Sequence, residues 1–416
     1  MPKRHGARAF LRCRSAYPSR MTLDQPTPPV DPEWRTRFPA ATEQVYLNIG
    51  SRGVISNAAK AAADRMIEGH WRADMSKGER LPLRDGCREK FARLLHAAGP
   101  HEVAIVKNVS EGINHIATSL DWQPGDNVVL TTELEHGNNI YAWMALRARG
   151  VEVREIAPVN GHIDPDAMAA AMDARTRLVT AASVSFTPGF RTDLAAIGAA
   201  ARRHGAFFLI DAVQSCGLLD LDVDAVMADG VATSTSKGLL GLMGLGFLYV
   251  RSEWLDRLHP AFVARHSVQT EGHESEYEGA DFAYAPDATR FEIGNYNWTG
   301  IAVADTALGE LLEIGVVNVE RHALMLADML RKGLAELDLV VSTAEVPQLR
   351  SHLVTVGEMG RGDTYVTGDA RLNRIARALE AEDVRFSIRR GMLRFGFHLY
   401  NDATDVTRTL DIARDA

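Results

Sequence analysis

Thr233-Ser234-Thr235-Ser236-Lys237-Gly238 runs into Leu239–Leu245 and then into the apolar strand Gly246-Phe247-Leu248-Tyr249-Val250. A lysine in a turn of hydroxyl residues and glycine, between two apolar strands, sits where a charge is costly. Such a lysine pairs, stays solvated, or gives up its proton. Desolvation that lowers its pKa makes the amine a nucleophile able to form a Schiff base. The alternative is a solvated lysine on a surface loop, and the residues upstream bear on the choice.

Candidate strands at Val103–Val106, Asn127–Leu130, Val151–Glu155, Leu178–Ser183, Phe207–Ile210, Gly230–Thr233 and Gly246–Val250 surround this turn. They alternate with amphipathic stretches at Gly112–Leu120, Ile140–Arg149, Pro165–Met172 and Leu194–His204. The alternation predicts an α/β fold, a mostly parallel seven-stranded sheet with helices on both faces. In such sheets the ligand sits on the loops that follow the strands. Past Asn297 the pattern changes. Helices over Ile301–Gly315 and Val319–Leu337 precede short strands at His352–Val356, Val384–Ile388 and Met392–Phe395, among helices over 371–381 and 403–414. The expected division is a flexible basic, proline-rich tail (1–30), a large ligand-binding domain (31–300) and a smaller C-terminal α+β domain (301–416).

The 416 residues suffice for two domains, and 46% hydrophobic with 24% charged residues is ordinary for a globular chain. A formal net charge of −8, with no basic stripe, argues against a nucleic-acid partner. No apolar run approaches the ~20 residues of a membrane span, so no membrane is expected. The three cysteines, Cys13, Cys87 and Cys216, form no CxxC pair and fit a reducing cytoplasm. The first twenty residues carry six basic side chains and no acid but lack the apolar core of a secretory signal. Met21 is an alternative start.

Three loops carry chemistry. Lys107-Asn108-Val109-Ser110-Glu111-Gly112 opens a helix after the first strand, which suits an anion or an ordinary N-cap. Glu133-Leu134-Glu135-His136-Gly137-Asn138-Asn139 follows the second strand, and its histidine suits a planar ligand or a solvated surface. Asp211-Ala212-Val213-Gln214 follows the fifth, where a carboxylate needs a partner or caps the next helix. Together with Lys237 these are the needs of pyridoxal 5′-phosphate: donors for the phosphate, a stacking face, a carboxylate for the pyridinium, and a lysine for the aldehyde.

In order and spacing the set resembles the class V aminotransferase family of fold-type I pyridoxal enzymes, from about Tyr46 to the C-terminus. That family includes cysteine desulfurases, selenocysteine lyases and isopenicillin-N epimerase. The resemblance implies that Lys237 holds the internal aldimine, Asp211 pairs with the pyridine nitrogen, Gln214 bonds the ring hydroxyl and His136 stacks on the ring. It also implies that Val109, by its backbone, Ser110 and Ser234 hold the phosphate, with Ser236 in the cofactor-binding set. Arg290-Phe291-Glu292-Ile293-Gly294-Asn295 resembles the segment that reaches the phosphate of a neighbouring subunit. A homodimer with shared sites is therefore expected, although the family usually has threonine where Asn295 stands. Arg394-Phe395-Gly396-Phe397-His398-Leu399-Tyr400-Asn401 resembles the terminal motif whose arginine grips the substrate carboxylate, with Arg389 a second candidate. Before that resemblance, a surface salt bridge explains Arg394 as well.

Two departures stand out. Desulfurases carry a catalytic cysteine on a loop ahead of the carboxylate-binding arginine; here Arg389-Arg390-Gly391-Met392-Leu393-Arg394 closes that interval, and no cysteine follows Cys216. Where those enzymes often have asparagine beside the substrate, this chain has Phe186, and Arg191 nearby is a candidate for a second acidic group. Gly241-Leu242-Met243-Gly244-Leu245-Gly246 imitates a dinucleotide loop but precedes a strand instead of opening a helix, so a nicotinamide enzyme is rejected. The expectation is an enzyme acting on a small α-amino acid through a Lys237 Schiff base, as a transaminase or a C–S/β-elimination lyase. An epimerase of the isopenicillin-N type is the alternative within the family, and a non-catalytic scaffold or sensor the alternative outside it.

Overall fold

A computed structural model describes residues 30–269, 282–342, 344 and 346–416. The expected tail, with Cys13 and Met21, lies outside these residues except for Val30.

The central sheet has seven strands, ordered Val103–Val106, Gly246–Val250, Gly230–Ser234, Phe207–Asp211, Thr176–Ala182, Asn127–Leu130 and Glu152–Glu155. Only Gly246–Val250 runs antiparallel to its neighbours. The period-2 rule explains why both faces need helices. On one strand Phe208 and Ile210 enter the core on one side of the sheet, while Phe207 and Leu209 enter the core on the other. Each such aromatic, fully buried, stabilises by roughly 1.5–3 kcal/mol. The covering helices start on short polar caps. Asp193 accepts the Ala196 N–H at 3.2 Å before Leu194–His204, and Gly205 ends that helix at φ +65°.

The C-terminal unit is a four-stranded antiparallel sheet, ordered Ser387–Arg389, Met392–Gly396, Leu353–Val356, Val341–Ser342. Around it lie the helices Val316–Glu336, Ala370–Ala381 and Ala403–Asp415.

Two expectations change. The helix expected over Ile140–Arg149 is Tyr141–Ala145 followed by a tighter 3-10 turn, Leu146–Arg149, which stops where Gly150 takes φ +81°. The single strand expected over Val384–Ile388 splits at Phe386, whose ring packs 5.4 Å from Phe395. Val384–Arg385 then pairs with one sheet and Ser387–Arg389 with another. The segment 31–49, grouped by sequence with the large domain, makes contacts with the C-terminal unit. Val45–Tyr46 pairs in parallel with Val384–Arg385, and the Gly396 N–H donates to the Leu47 carbonyl at 2.8 Å. Backbone pairing of so short a strand leaves no pattern in the sequence.

Candidate active site

The loops after four strands converge with the C-terminal unit on Lys237. Burial is the main cause that lowers the Lys237 amine to a pKa of about 8, and the Arg394 guanidinium adds to it. Asp211, at the end of the central strand, opposes them but does not overcome them. Asp211 is itself buried; its Oδ1 accepts the Val213 N–H at 3.0 Å, and desolvation pushes its pKa up. A buried carboxylate facing this space suits a ligand that brings a protonated nitrogen.

Gln214 Nε2 donates to the Gly50 carbonyl at 2.9 Å, while its Oε1 is buried with no partner among the described residues. Such an orphan acceptor calls for a donor from a ligand, and a ring hydroxyl would serve. At the start of the helix Val109–Ser119 the Val109 N–H donates to Ser234 Oγ at 2.9 Å. This joins the helix N-terminus and a hydroxyl, with Ser110 beside them, into the donor set a phosphate requires. Ser236 contributes its carbonyl to the framework, accepting the Gly53 N–H at 2.8 Å.

His136 Nδ1 accepts the Asn138 N–H at 3.2 Å, and the Phe186 ring lies edge-on to it at 5.1 Å. Burial, then the charges of Lys237, Arg389 and Arg394, lower its pKa, so a neutral imidazole faces the cleft. The residues present thus fit pyridoxal phosphate, on the orphaned Gln214 acceptor above all.

Arg394 is 1% exposed and has no carboxylate partner among the described residues. Its Nε donates to Ser387 Oγ at 3.2 Å, Nη1 to the Phe186 carbonyl at 3.0 Å, and Nη2 to Ser51 Oγ at 3.2 Å. Burial, then Arg389, brings its pKa down to about 9. Arg389 reaches the same Ser51 Oγ at 3.0 Å.

Arg191 is not part of this site. Its Nη1 pairs with Glu320 Oε1 at 2.6 Å, half-hidden between the large sheet's flank and the helix Val316–Glu336. An acid 129 positions away cannot be matched to it from sequence. In the segment Arg290–Asn295, Arg290 and Glu292 are buried, with Glu292 accepting the Ile105 N–H at 2.8 Å, and Asn295 is exposed. Cys87 and Cys216 are buried thiols, and burial pushes Cys216 up to about 12. Neither is a nucleophile.

Sequence reasoning missed two parts. One is the strap Asn48-Ile49-Gly50-Ser51-Arg52-Gly53, which contacts Gln214, both arginines and the lysine turn. The other is Glu135, buried beside His136, whose Oε1 accepts the Ala182 N–H at 2.6 Å and Oε2 the Asn139 amide at 3.1 Å. Asn139 in turn accepts from Trp143 Nε1 and Thr180 Oγ1. Glu135 followed by Asn139 and Trp143 at a spacing of four was the available signal.

Residues 76–409 match the sequence profile described as "Aminotransferase class-V". The chain belongs to the class V aminotransferase family. Members of this family use pyridoxal phosphate. A probable cysteine desulfurase of Methanothermobacter thermautotrophicus is 34% identical over 252 residues, 60% of this chain and 61% of that relative. The match therefore spans less than two thirds of that relative's length. An uncharacterized aminotransferase of Bacillus subtilis, YcbU, is 27% identical over 91% of this chain and 96% of its own. Among solved structures, the cystine C–S lyase C-DES in complex with its product cysteine persulfide superposes with TM-score 0.78 at 25% identity, over 91% of this chain and 99% of that one. The seven-stranded sheet with its C-terminal unit is the fold-type I architecture of the class V aminotransferases. Relatives named as cysteine desulfurases do not carry their catalytic residue onto this chain, because no cysteine follows Cys216.

Proposed function

We propose that this class V aminotransferase binds pyridoxal 5′-phosphate through Lys237 and acts on a small α-amino acid, as a transaminase or a C–S/β-elimination lyase. The observation that carries the reading is Arg394, a buried guanidinium facing the lysine with no carboxylate partner among the described residues. A substrate carboxylate would complete it with two parallel hydrogen bonds. When bound, the cofactor supplies an electrophilic carbonyl and a ring that stabilises negative charge at the substrate Cα.

The chain's own residues then have distinct tasks. Arg394 and Arg389 orient the substrate, with the Phe186 ring as one wall. Asp211 would hold a proton on the ring nitrogen through its carboxylate, His136 would cover one ring face, and Val109, Ser110, Ser234 and Ser236 would line the phosphate end. Lys237, whose amine is neutral in a large fraction near pH 8, takes the proton from Cα and returns it. Return of that proton to the cofactor side would give transamination and return to the opposite face of Cα epimerisation, whereas departure of a β-substituent with its bonding electrons would give elimination. Among the described residues neither cysteine suits carrying a sulfur, since burial keeps Cys87 and Cys216 as thiols.

A homodimer with shared sites, Asn295 reaching the neighbour's phosphate, is supported by its exposure and by exposed Ile67 and Trp71 one turn apart on the helix Asn57–Trp71. Free buried thiols at Cys87 and Cys216 suit the reducing cytoplasm. Among the described residues no helix is long and apolar enough to cross a membrane.

The test is a visible spectrum of the purified protein supplied with pyridoxal phosphate, before and after each of a panel of amino acids. A yellow band that one amino acid bleaches to the amine form of the cofactor identifies a transaminase and its donor. A persisting band with accumulating keto acid and ammonia identifies a lyase. Loss of optical activity without either product identifies an epimerase, and no band at all overturns the proposal.

A further inference from the structure

His398 lies in the turn just after the strand Met392–Gly396, four residues beyond Arg394, and is fully buried. Its Nδ1 accepts the Leu399 N–H at 2.7 Å, which leaves the ring proton on Nε2. That nitrogen donates to the Gly238 carbonyl at 2.9 Å. Burial keeps the imidazole neutral, so the donor persists across the range in which proteins are folded.

Gly238 is the residue after Lys237. On the other side of the lysine, the Ser236 carbonyl accepts the Gly53 N–H at 2.8 Å. The carbonyls of the residues on either side of Lys237 are therefore both held from outside the loop, one by the N-terminal strap and one by the C-terminal unit. Backbone packs closely against the same loop. A Cβ on Gly53 would stand 2.4 Å from the Lys237 carbonyl oxygen, and one on Gly217 would stand 2.3 Å from that of Gly238. The same two segments hold Arg394. Ser51, two residues before Gly53, accepts from its Nη2, and His398 follows it on the chain.

We infer that His398 is a positioning residue for Lys237, its Nε2–H bond to the Gly238 carbonyl fixing the amine relative to the Arg394 guanidinium. The catalytic meaning of this contact rests on the reading of Lys237 as the cofactor-linked lysine. A neutral donor suits the place. A cation there would add to the repulsion that Arg394 and Arg389 already exert on the amine, which among the described residues Asp211 opposes. His136 faces the same amine from the opposite loop and is held neutral. The clamp couples two distant parts: whatever moves Arg394 on its strand also pulls on the lysine turn.

The experiment reads the Lys237 amine in the cofactor-free protein. Its modification by trinitrobenzenesulfonate is followed against pH, with the peptide carrying Lys237 quantified by mass spectrometry. The wild-type midpoint is expected near 8. In His398→Ala, water and slack reach the amine, and the midpoint should rise by roughly half a pH unit or more. His398→Gln, which puts an amide N–H near the Nε2 position, should bring it back. An unchanged midpoint in His398→Ala, or an equal rise in both variants, overturns the inference. If His398→Ala does not fold, His398→Asn takes its place, because it can accept the Leu399 N–H but stops short of Gly238, and the same outcomes apply. Separately, borohydride trapping of pyridoxal phosphate on the wild type identifies the linked residue. A label elsewhere than Lys237 would overturn the functional reading while the midpoints still decide the role of His398.

Discussion

Arg394 donates from Nη1 to the Phe186 carbonyl at 3.0 Å, and its guanidinium lies 5.1 Å from the centroid of the same residue's ring. Backbone and side chain of one residue thus fix the arginine from two directions. Phe186→Ala removes the ring and keeps the carbonyl. KM for the amino-acid substrate should rise about 3–10-fold, the worth of a partly desolvated cation–π contact, with kcat nearly constant. Steady-state kinetics check this; a fall in kcat alone would put Phe186 among the reacting groups.

Arg394 and Arg191 should respond in opposite directions to the same change. Arg394→Met replaces a buried cation that has no carboxylate partner among the described residues, so Tm should rise while KM climbs on the order of 100-fold. Arg191→Met strands Glu320 beside the helix Val316–Glu336 and should destabilise by about 2–4 kcal/mol with KM unmoved. Thermal melts and kinetics on the two variants decide it.

The depressed pKa of Lys237 has a stability signature. Below pH 8 the lysine is charged whether the chain is folded or unfolded, and folding bears the full penalty of a desolvated charge. Between 8 and 10.5 the unfolded chain binds the extra proton, so the folded state gains stability as pH rises. In the cofactor-free protein Lys237→Met should therefore stabilise by an amount of order 3 kcal/mol at pH 7, fading to nothing above pH 10.5. Urea titrations at three pH values measure the trend, and a pH-independent difference would contradict the shift.

Glu135 carries the opposite sign. Burial first, and the nearby Asp211 second, raise its pKa to about 8. The folded chain holds a proton that the unfolded chain releases, so stability falls as pH rises from the ordinary carboxyl range through 8. Glu135→Gln should lose that slope while keeping an acceptor for the Ala182 N–H. Glu135→Leu, which orphans that N–H and the Asn139 amide, should cost about 2–4 kcal/mol in acid, where the carboxyl is protonated in both states, and progressively less as pH rises, because it loses the same slope.

Much of this was legible before any coordinates. Strand-end position drew attention to Asp211, His136 and Lys237, because a parallel sheet delivers the ends of its strands to one edge, but each kept an ordinary alternative until the three were taken together. The seven strands follow from runs such as Phe207–Asp211, apolar on both faces. What escaped was whatever depends on a distant partner. Ser51 has no motif of its own, and its importance comes from arginines more than 330 positions away. Arg191 looked available because Glu320 is remote, and Glu135 stood in the shadow of its neighbour His136. His398 has no meaning without Gly238 beside it.

The strap also bears on how the protein is made. Residues 45–53 leave the ribosome early, yet besides Gln214 and Ser236 their partners include the late Val384–Arg385, Arg389, Arg394 and Gly396. Asn401, whose amide ties the Tyr46 carbonyl at 2.9 Å, comes still later. The large sheet has every strand it needs once Val250 has emerged, so it can form while synthesis continues. The strap cannot settle until nearly the whole chain is out. Closing a loop of that length is slow, and the unsettled stretch leaves the lysine turn uncovered in the meantime. A ribosome stalled after residue 380 would thus hold all seven strands of the large sheet but neither Arg389 nor Arg394.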